Sequence, residues 1–321
     1  MKCVEVPKAY AEKTIRLLRK YGVLDTEHLI TRRDDRIIIP LRDDKQVLRI
    51  LADIPLEIIS CEPPTRKRVK VRVPAHDVIG NIVIVRENVL EFMDKDELIR
   101  VLHTIYPRIR TIYLKKETTG EFRTAVLEPI WGIDDPITIN KEYGLSFKID
   151  LKKAYYNPRL AEEHRRIAEE VRDSERIFDL FAGIGGFSIH IASLHRTTIY
   201  MNDLNPYAVR LGIENIIINK KKIKGVIIPL CMDSSLIPKY FKQSVFDRVI
   251  ANNPHYSHLF EHVYRYLLKD NGLLHLYFVS STKEYDSFLE RYFSNWKLLR
   301  VRKVIDYAPY VFIWRADLIK P

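Results

Sequence analysis

The sequence predicts an α/β protein whose C-terminal half is a Rossmann-like, doubly wound parallel sheet, preceded by two smaller α/β domains. From about residue 177, short apolar runs alternate with helical patterns, which is typical of a parallel sheet. A glycine-rich turn follows the first run, and Asp203 ends the second. Since parallel strands end at one edge of their sheet, we expect these features to share one site.

The N-terminal residues 1–60 predict a small α/β module. Ala11, Ile15 and Leu18 recur at helical spacing, with Pro7 before them and Gly22 after them. A strand is predicted at 36–40. Consecutive prolines at 63 and 64, followed by a basic run, predict a linker over 61–74. Over 69–73, valines alternate with basic residues, which also predicts a strand with a basic face. That face could contact phosphates, or the strand could be a solvated edge strand.

Residues 75–149 predict a middle α/β domain. We expect strands at 81–85, 108–113 and 122–130, with a helix around Leu98 to Leu102. A strand pair follows between 135 and 160, and a helix runs from near Leu160 to about Val171. Residues 150–321 then form the Rossmann-like domain, with strands at 177–181, 199–201, 225–229, 248–251 and 273–279. Two late antiparallel strands are expected around Lys303 and Val311.

Composition indicates a globular protein with an acidic partner. A net charge of +11 and a pI near 9.4 favour phosphodiester chains, although high Ile, high charge and two Gln also resemble thermophile composition. No apolar run is long enough to span a bilayer, and no secretory signal begins the chain, so we expect a cytoplasmic monomer without a membrane partner. Cys3, Cys61 and Cys231 are far apart, which argues against disulfides and zinc; we expect no metal.

The segment Asp179-Leu-Phe-Ala-Gly-Ile-Gly-Gly-Phe187 indicates a nucleoside site. Its glycines let the backbone turn and approach a ligand closely, and Asp203, twenty residues after Gly183, can accept both ribose hydroxyls. A dinucleotide fingerprint would require a third glycine where Ser188 stands. Together with the Asn252-Asn-Pro-His255 turn, these features predict an S-adenosylmethionine site. Its predicted residues are Tyr155, Asp179, Phe181, Gly183, Gly185, Asp203, Asp233, Asn252 and Pro254.

Four segments give the chain a resemblance to the archaeal and eukaryotic tRNA (guanine-37-N1)-methyltransferase family. They are residues 120–124 (Gly-Glu-Phe-Arg-Thr), 155–164 (Tyr-Tyr-Asn-Pro-Arg-Leu-Ala-Glu-Glu-His), 179–187 and 304–309 (Val-Ile-Asp-Tyr-Ala-Pro). The resemblance spans nearly the whole chain. It implies an N-terminal module that inspects the outer corner of tRNA, a middle domain and a catalytic domain that acts on the anticodon loop.

The resemblance also implies that Glu163 and Arg123 act on guanine, beside Asn252 at the transfer site. Guanine N1 carries a proton at neutral pH, so a carboxylate is needed as general base, and a guanidinium can stabilise charge on O6. Glu162 is an alternative base, and Arg159 and Arg123 could instead hold phosphates. The predicted substrate-binding residues are Asn157, Arg159 and His255.

Two departures from the family pattern leave rival functions open. Gly186 replaces a proline of the glycine loop, and Asn253 replaces a Leu or Pro beside the target base. Relatives methylate the tricyclic wyosine intermediate or transfer an aminocarboxypropyl group, and Asn-x-Pro favours methyl transfer over the larger group. Two alternative functions belong to other classes of protein: a non-catalytic RNA-binding protein and a nicotinamide dehydrogenase.

Overall fold

The computed structural model describes residues 1–65, 73–119 and 124–321, and the chain divides into two compact units, Met1–Arg72 and Val73–Pro321. Arg123 and most of the basic segment 69–73 lie outside the described residues. None of the helices within the described ranges is long and apolar enough to cross a membrane.

The first unit is a four-stranded sheet packed against two helices. Its central strand β1 pairs antiparallel with both β3 and β4, giving the order β2-β3-β1-β4. Val4, Leu18, Ile39 and Val47 are buried together between sheet and helices. The elements are β1 (Lys2–Pro7), α1 (Ala11–Lys20), β2 (Thr31–Arg33), β3 (Arg36–Pro40), α2 (Val47–Ile50) and β4 (Glu57–Ser60).

A disulfide joins Cys3 and Cys61, and the expectation that the cysteines are unpaired was wrong for these two. Antiparallel pairing sets Cys3 opposite Ile59, so the chain just beyond the end of β4 returns beside β1. The Cα atoms of the two cysteines are therefore 5.9 Å apart despite a sequence separation of 58 residues. Cys231 is free and exposed.

The second unit begins with a four-stranded sheet in the order β5-β6-β7-β8. Asp94 caps α3 by accepting hydrogen bonds from the backbone N–H groups of Asp96 and Glu97. The strand predicted at 108–113 begins later, at Thr111, because a turn follows α3, closed by Ile109 N–H donating to Tyr106 C=O. The elements are β5 (His76–Ile79), β6 (Ile82–Arg86), α3 (Lys95–Ile105), β7 (Thr111–Thr119) and β8 (Thr124–Gly132).

A β-hairpin and a helix lead from this sheet to the larger one. Tyr143 and Gly144, both with positive φ, form the two-residue turn between β9 (Ile137–Glu142) and β10 (Leu145–Asp150). The helix α4 spans Ala161–Glu170, close to the prediction.

The remaining chain forms a seven-stranded sheet in the order β13-β12-β11-β14-β15-β17-β16, which confirms the predicted doubly wound fold. The first five strands are parallel, and β17 pairs antiparallel with β15 and β16. The chain reverses its winding direction at β11, between β12 and β14. The elements are β11 (Arg176–Asp179), α5 (Gly186–Leu194), β12 (Thr198–Asp203), α6 (Pro206–Ile218), β13 (Val226–Cys231), α7 (Ile237–Tyr240), β14 (Phe246–Ala251), α8 (Glu261–Leu267), β15 (Leu268–Ser281), α9 (Tyr285–Phe293), β16 (Lys297–Ala308) and β17 (Val311–Ile319).

Asn215 of α6 and Asn219, directly after its end, attach the β9–β10 hairpin to the helices of this sheet. The Asn215 side chain accepts from Lys148 N–H at 2.7 Å and donates to Lys148 C=O at 3.1 Å, and Asn219 makes the same pair of bonds with Ser146. Each side-chain amide thus pairs with the N–H and the C=O of one residue of β10, which fixes the hairpin beside the seven-stranded sheet.

Candidate active site

A cavity of about 1620 Å³ opens at the carboxyl-terminal ends of β11, β12 and β14, where doubly wound sheets bind their ligands. This volume exceeds that of a typical single-ligand pocket, so it can hold a nucleoside cofactor together with a second group. The predicted site residues that line it are Tyr155, Asn157, Arg159, Phe181, Gly183, Asp203, Asp233, Asn252, Pro254 and His255.

The glycine loop forms the floor of the cavity. Gly183 and Gly185 have φ values of 54° and 91°, conformations that residues with a Cβ seldom adopt. The N–H of Gly183 donates to Asp203 Oδ2 at 2.7 Å, which ties the loop to the end of β12. The spacing of twenty residues therefore brings these two groups together, as predicted.

Asp203 faces the cavity as a desolvated carboxylate. Its Oδ1 accepts a second backbone hydrogen bond, from Asn205 N–H at 2.9 Å. Burial raises the pKa of Asp203, although both hydrogen bonds act in the opposite direction. Hydroxyl donors from a ribose would favour the ionised form further, so this group suits a nucleoside.

Asp179 lies beneath the loop and does not line the cavity. Its carboxylate is fully buried and accepts a hydrogen bond from Ser188 Oγ at 2.7 Å, and its Oδ1 has no partner in the part of the chain that the structure describes. Burial raises the pKa of Asp179 to about 7. Gly185 likewise stands outside the cavity lining, so these two predicted residues shape the loop from below.

Asp233 and Phe181 line the cavity beside β13 and β11. Asp233 accepts a hydrogen bond from Ser235 N–H at 2.8 Å, which holds the turn after β13. The Phe181 ring packs edge-to-face on Phe260, with centroids 5.1 Å apart. This end of the cavity offers one carboxylate and an apolar wall, which suits the polar edge and flat face of an adenine.

The Asn252-Asn253-Pro254-His255 turn follows β14 on the opposite side. Asn253 C=O accepts from Tyr256 N–H at 3.0 Å and from Ser257 N–H at 2.9 Å, and Pro254 C=O accepts from Val279 N–H at 3.1 Å. These bonds fix the loop on the neighbouring strand. The amide of Asn252 is thereby held at the cavity wall.

Residues 155–159 form a second wall. Asn157 caps the following turn by accepting from Arg159 N–H at 3.1 Å. The Arg159 guanidinium donates twice to Asp77 Oδ1, through Nε at 3.1 Å and Nη2 at 3.0 Å. Since Asp77 belongs to β5, the middle sheet positions a cation at the cavity edge.

Glu163 is buried in the first turn of α4 and does not line the cavity. Its Oε1 accepts hydrogen bonds from Arg315 Nη1 at 2.8 Å and Tyr277 OH at 3.0 Å, and its Oε2 accepts one from Arg166 Nη1 at 2.6 Å. Arg315 is fully buried and also pairs with Asp317. No local sequence pattern indicates this network, because Tyr277 and Arg315 lie 114 and 152 residues after Glu163.

A buried cluster next to Glu163 explains Gly186. Glu142 Oε2 accepts from His164 Nδ1 at 2.9 Å and His190 Nε2 at 3.0 Å. Burial alone would raise the pKa of Glu142, but these hydrogen bonds hold it at about 2. The distances are those of hydrogen bonds between a carboxylate and two rings. A Cβ on Gly186 would lie 2.5 Å from the His164 ring, so glycine is the residue that fits there.

The Rossmann-like sheet carries a glycine loop, an acid at the end of its second strand (Asp203) and an asparagine-proline turn. Together these features define an S-adenosylmethionine-dependent methyltransferase. The TRM5/TYW2 methyltransferase domain model matches residues 138–298, and the tRNA methyltransferase 5 N-terminal domain model matches residues 3–48. The chain therefore belongs to the TRM5/TYW2 methyltransferase family.

Curated relatives and solved structures agree with this membership. The chain is 32% identical to tRNA (guanine(37)-N(1))-methyltransferase Trm5b of Pyrococcus abyssi, with 85% of this chain and 83% of the relative covered. It is 28% identical to the Trm5b of Methanocaldococcus jannaschii, with 98% and 97% covered. A structure described as the complex of aTrm5 and tRNALeu matches with a TM-score of 0.68, at 27% identity and complete coverage of both chains.

A relative with a different reaction matches less of this chain. The tRNA(Phe) (4-demethylwyosine(37)-C(7)) aminocarboxypropyltransferase of Methanocaldococcus jannaschii is 32% identical, with 73% of this chain and 93% of the relative covered. A structure of TYW2 from the same organism, in complex with AdoMet, covers 77% of this chain at a TM-score of 0.54 and 26% identity. These two matches thus leave about a quarter of this chain uncovered.

Proposed function

We propose that this protein transfers a methyl group from S-adenosylmethionine to N1 of guanosine 37 in the anticodon loop of tRNA. The observation that carries the proposal is the extent of the match. The Methanocaldococcus jannaschii Trm5b, named for guanine-37 N1 methylation, is matched over 97% of its length, and the tRNA methyltransferase 5 N-terminal domain model matches residues 3–48. The aminocarboxypropyltransferase relative leaves part of this chain unmatched.

The cofactor's residues are those around the glycine loop. Asp203 would accept the ribose hydroxyls, Asp233 and Phe181 would hold the adenine, and Tyr155 would adjoin the methionine part. When bound, S-adenosylmethionine supplies an electrophilic methyl group on its sulfonium. The desolvated carboxylate of Asp203 supports this assignment, since ribose hydroxyls would add to the two backbone N–H donors that it already has.

Glu163 serves as the general base in this proposal. Arg315 and Tyr277 keep its Oε1 fixed, while the Oε2 partner, Arg166, is partly exposed and also pairs with Glu162. We propose that Oε2 exchanges Arg166 for the N1–H of guanine and takes that proton. Negative charge then develops on O6, where a guanidinium from Arg123 would stabilise it.

The basic surface and the additional domains support tRNA as the substrate. A net charge of +11 favours a phosphodiester partner. The module at residues 1–60 would inspect the outer corner of tRNA, joined by the linker at 61–74 to a middle domain at 75–149 and a catalytic domain at 150–321. Arg159, Asn157 and His255 would contact the anticodon loop beside the target base.

Methylation of the tricyclic wyosine intermediate is the second candidate. The aminocarboxypropyltransferase relative is named for a tricyclic base, the cavity is large, and Asn253 departs from the family pattern next to the target base. The two candidates differ in substrate while sharing the cofactor site, so one assay can separate them.

Nucleoside mass spectrometry tests the proposal. The protein is incubated with S-adenosylmethionine and either unmodified tRNA or tRNA carrying the tricyclic intermediate, and the digested nucleosides are weighed. A methyl gain on guanosine is expected. An aminocarboxypropyl gain, or a methyl gain on the tricyclic base alone, would contradict the proposal.

The general base is tested with two neighbouring variants. Glu163→Gln should slow single-turnover methyl transfer by about 10²–10⁴-fold, because it removes the proton acceptor. Glu162→Gln is the matched control, since this exposed neighbour shares the Arg166 contact, and it should stay within a few-fold of the wild type. If Glu163→Gln turns over normally, the general-base role is wrong.

A further inference from the structure

The hairpin between β16 and β17 brings an aromatic side chain to the transfer site. Pro309 and Tyr310 form its two-residue turn, since Ala308 pairs with Val311. Asp306 and Tyr307, just before the turn, line the cavity. Tyr307 remains 42% exposed, so the residue is accessible to a ligand.

Tyr307 is positioned against the loop that carries Asn252 and Pro254. Its ring meets the His255 ring edge-to-face, with centroids 5.3 Å apart and planes at 63°. Both rings line the cavity, and the loop of His255 is bonded to β15 through Pro254. The ring of Tyr307 therefore stands beside the atoms that would orient a target base.

Side-chain contacts across the β16–β17 hairpin hold the backbone that carries Tyr307. Lys303 Nζ pairs with Asp306 Oδ1 at 2.6 Å and lies over the Phe312 ring at 3.7 Å from its centroid. Phe312 packs edge-to-face on Trp314, which in turn stacks on Tyr285. A ring held on packed strands can serve as a preformed surface, because little ordering remains to be done on binding.

A purine in an RNA loop loses its stacking neighbours when it leaves the loop, and an aromatic side chain can replace them. Two other aromatic residues that line the cavity, Tyr155 and Phe260, lie next to predicted cofactor residues. Tyr155 has its carbonyl next to the glycine loop, 3.8 Å from the Cβ position of Gly183, and Phe260 packs on Phe181. Both contacts are with Gly183 and Phe181, residues of the predicted cofactor site.

We propose that Tyr307 is the stacking platform for the displaced target purine, an inference that rests on the proposed function and names a residue that would bind its substrate base. The ring face of Tyr307 accepts the base while the side-chain amide of Asn252, in the same cavity, addresses its edge. His255 orients Tyr307 from the side.

Three variants test this role in the full-length protein with unmodified tRNA. Tyr307→Ala should lower kcat/KM for methyl transfer by about 10- to 100-fold, the range for losing one base–aromatic stack, and leave the Kd for S-adenosylmethionine unchanged. Tyr307→Phe retains the ring and should stay within about threefold of the wild type. Tyr310→Ala, in the same turn but 83% exposed and not lining the cavity, is the matched control and should behave as the wild type.

A spectroscopic readout separates stacking from a structural role. A tRNA with 2-aminopurine at position 37 is dim when that base is stacked, so its complex with Tyr307→Ala should be brighter than its complexes with wild type, Tyr307→Phe or Tyr310→Ala. Equal brightness, or equal turnover in Tyr307→Ala and Tyr310→Ala, overturns the inference while the proposed function stands. If the wild type itself adds no methyl group to guanosine 37, both fail.

Discussion

Replacing Gly186 with Ala should destabilise the second unit, because the added Cβ would meet a ring that cannot move aside. The Cβ position lies 2.5 Å from His164 Cε1 and 2.6 Å from Nε2, closer than real Cβ atoms come to other atoms. The ring is held by Glu142 at 2.9 Å and by the edge-to-face contact with Phe187, whose centroid is 4.6 Å away. Overpacking of this kind costs about 1–3 kcal/mol.

Tryptophan fluorescence during thermal unfolding measures this cost. The three tryptophans, Trp131, Trp296 and Trp314, all belong to the second unit, so the signal reports on that unit alone. For a domain of this size, each kcal/mol lowers Tm by about 2–4 °C. We therefore expect Gly186→Ala to melt several degrees below the wild type.

A double-mutant cycle with His164→Ala makes the reasoning refutable. Without the imidazole, the Cβ of Gly186→Ala has room, so its cost should fall by about 1 kcal/mol or more and can become a gain from the lower backbone entropy of alanine. An equal cost in both backgrounds would show that His164 does not dictate glycine at this position. So would a Gly186→Ala variant as stable as the wild type.

Three further predictions concern two carboxylates and the disulfide. Burial raises the pKa of Asp179 to about 7 in the folded state, against about 3.9 in the unfolded state. Its contribution to the free energy of unfolding is therefore full below pH 4 and is lost as pH rises to about 7, a change on the order of 4 kcal/mol. Asp179→Asn should remove this pH dependence when Tm is measured against pH, and an unchanged slope would contradict the prediction. Asp203→Ala should weaken S-adenosylmethionine binding in calorimetry by about tenfold or more, as expected for a lost charged hydrogen-bond acceptor, and an unchanged Kd would remove the ribose assignment. Under denaturing, non-reducing conditions the protein should show one reactive thiol and gain two on reduction, since Cys3 and Cys61 are bonded; three thiols before reduction would rule the disulfide out.

The sequence predicted those parts of the site whose residues are close together in the chain or lie at the ends of successive predicted strands. The glycine loop, Asp203 and the Asn252 turn each follow a strand of one parallel sheet, so the fold itself brings them together. The exact strand bounds shifted by a few residues, because turns such as the one before β7 depend on packing and not on local preference.

The parts that sequence reasoning missed depend on distant partners. Glu163 meets Arg315 only because β17 lies inside the sheet behind α4, and Cys3 meets Cys61 only because β4 returns along β1. Tyr307 did carry a signal, since it lies in the family segment 304–309, but its part in the cavity follows from the hairpin and the contact with His255.

The most direct test of the central claim is reverse transcription of tRNA treated with the protein and S-adenosylmethionine. A methyl group on N1 blocks the Watson–Crick edge, so synthesis should stop beside position 37, only when the cofactor is present and only when guanosine occupies that position. Methyl incorporation without a stop, or a stop that persists after guanosine 37 is replaced by adenosine, would contradict N1 methylation of guanosine 37.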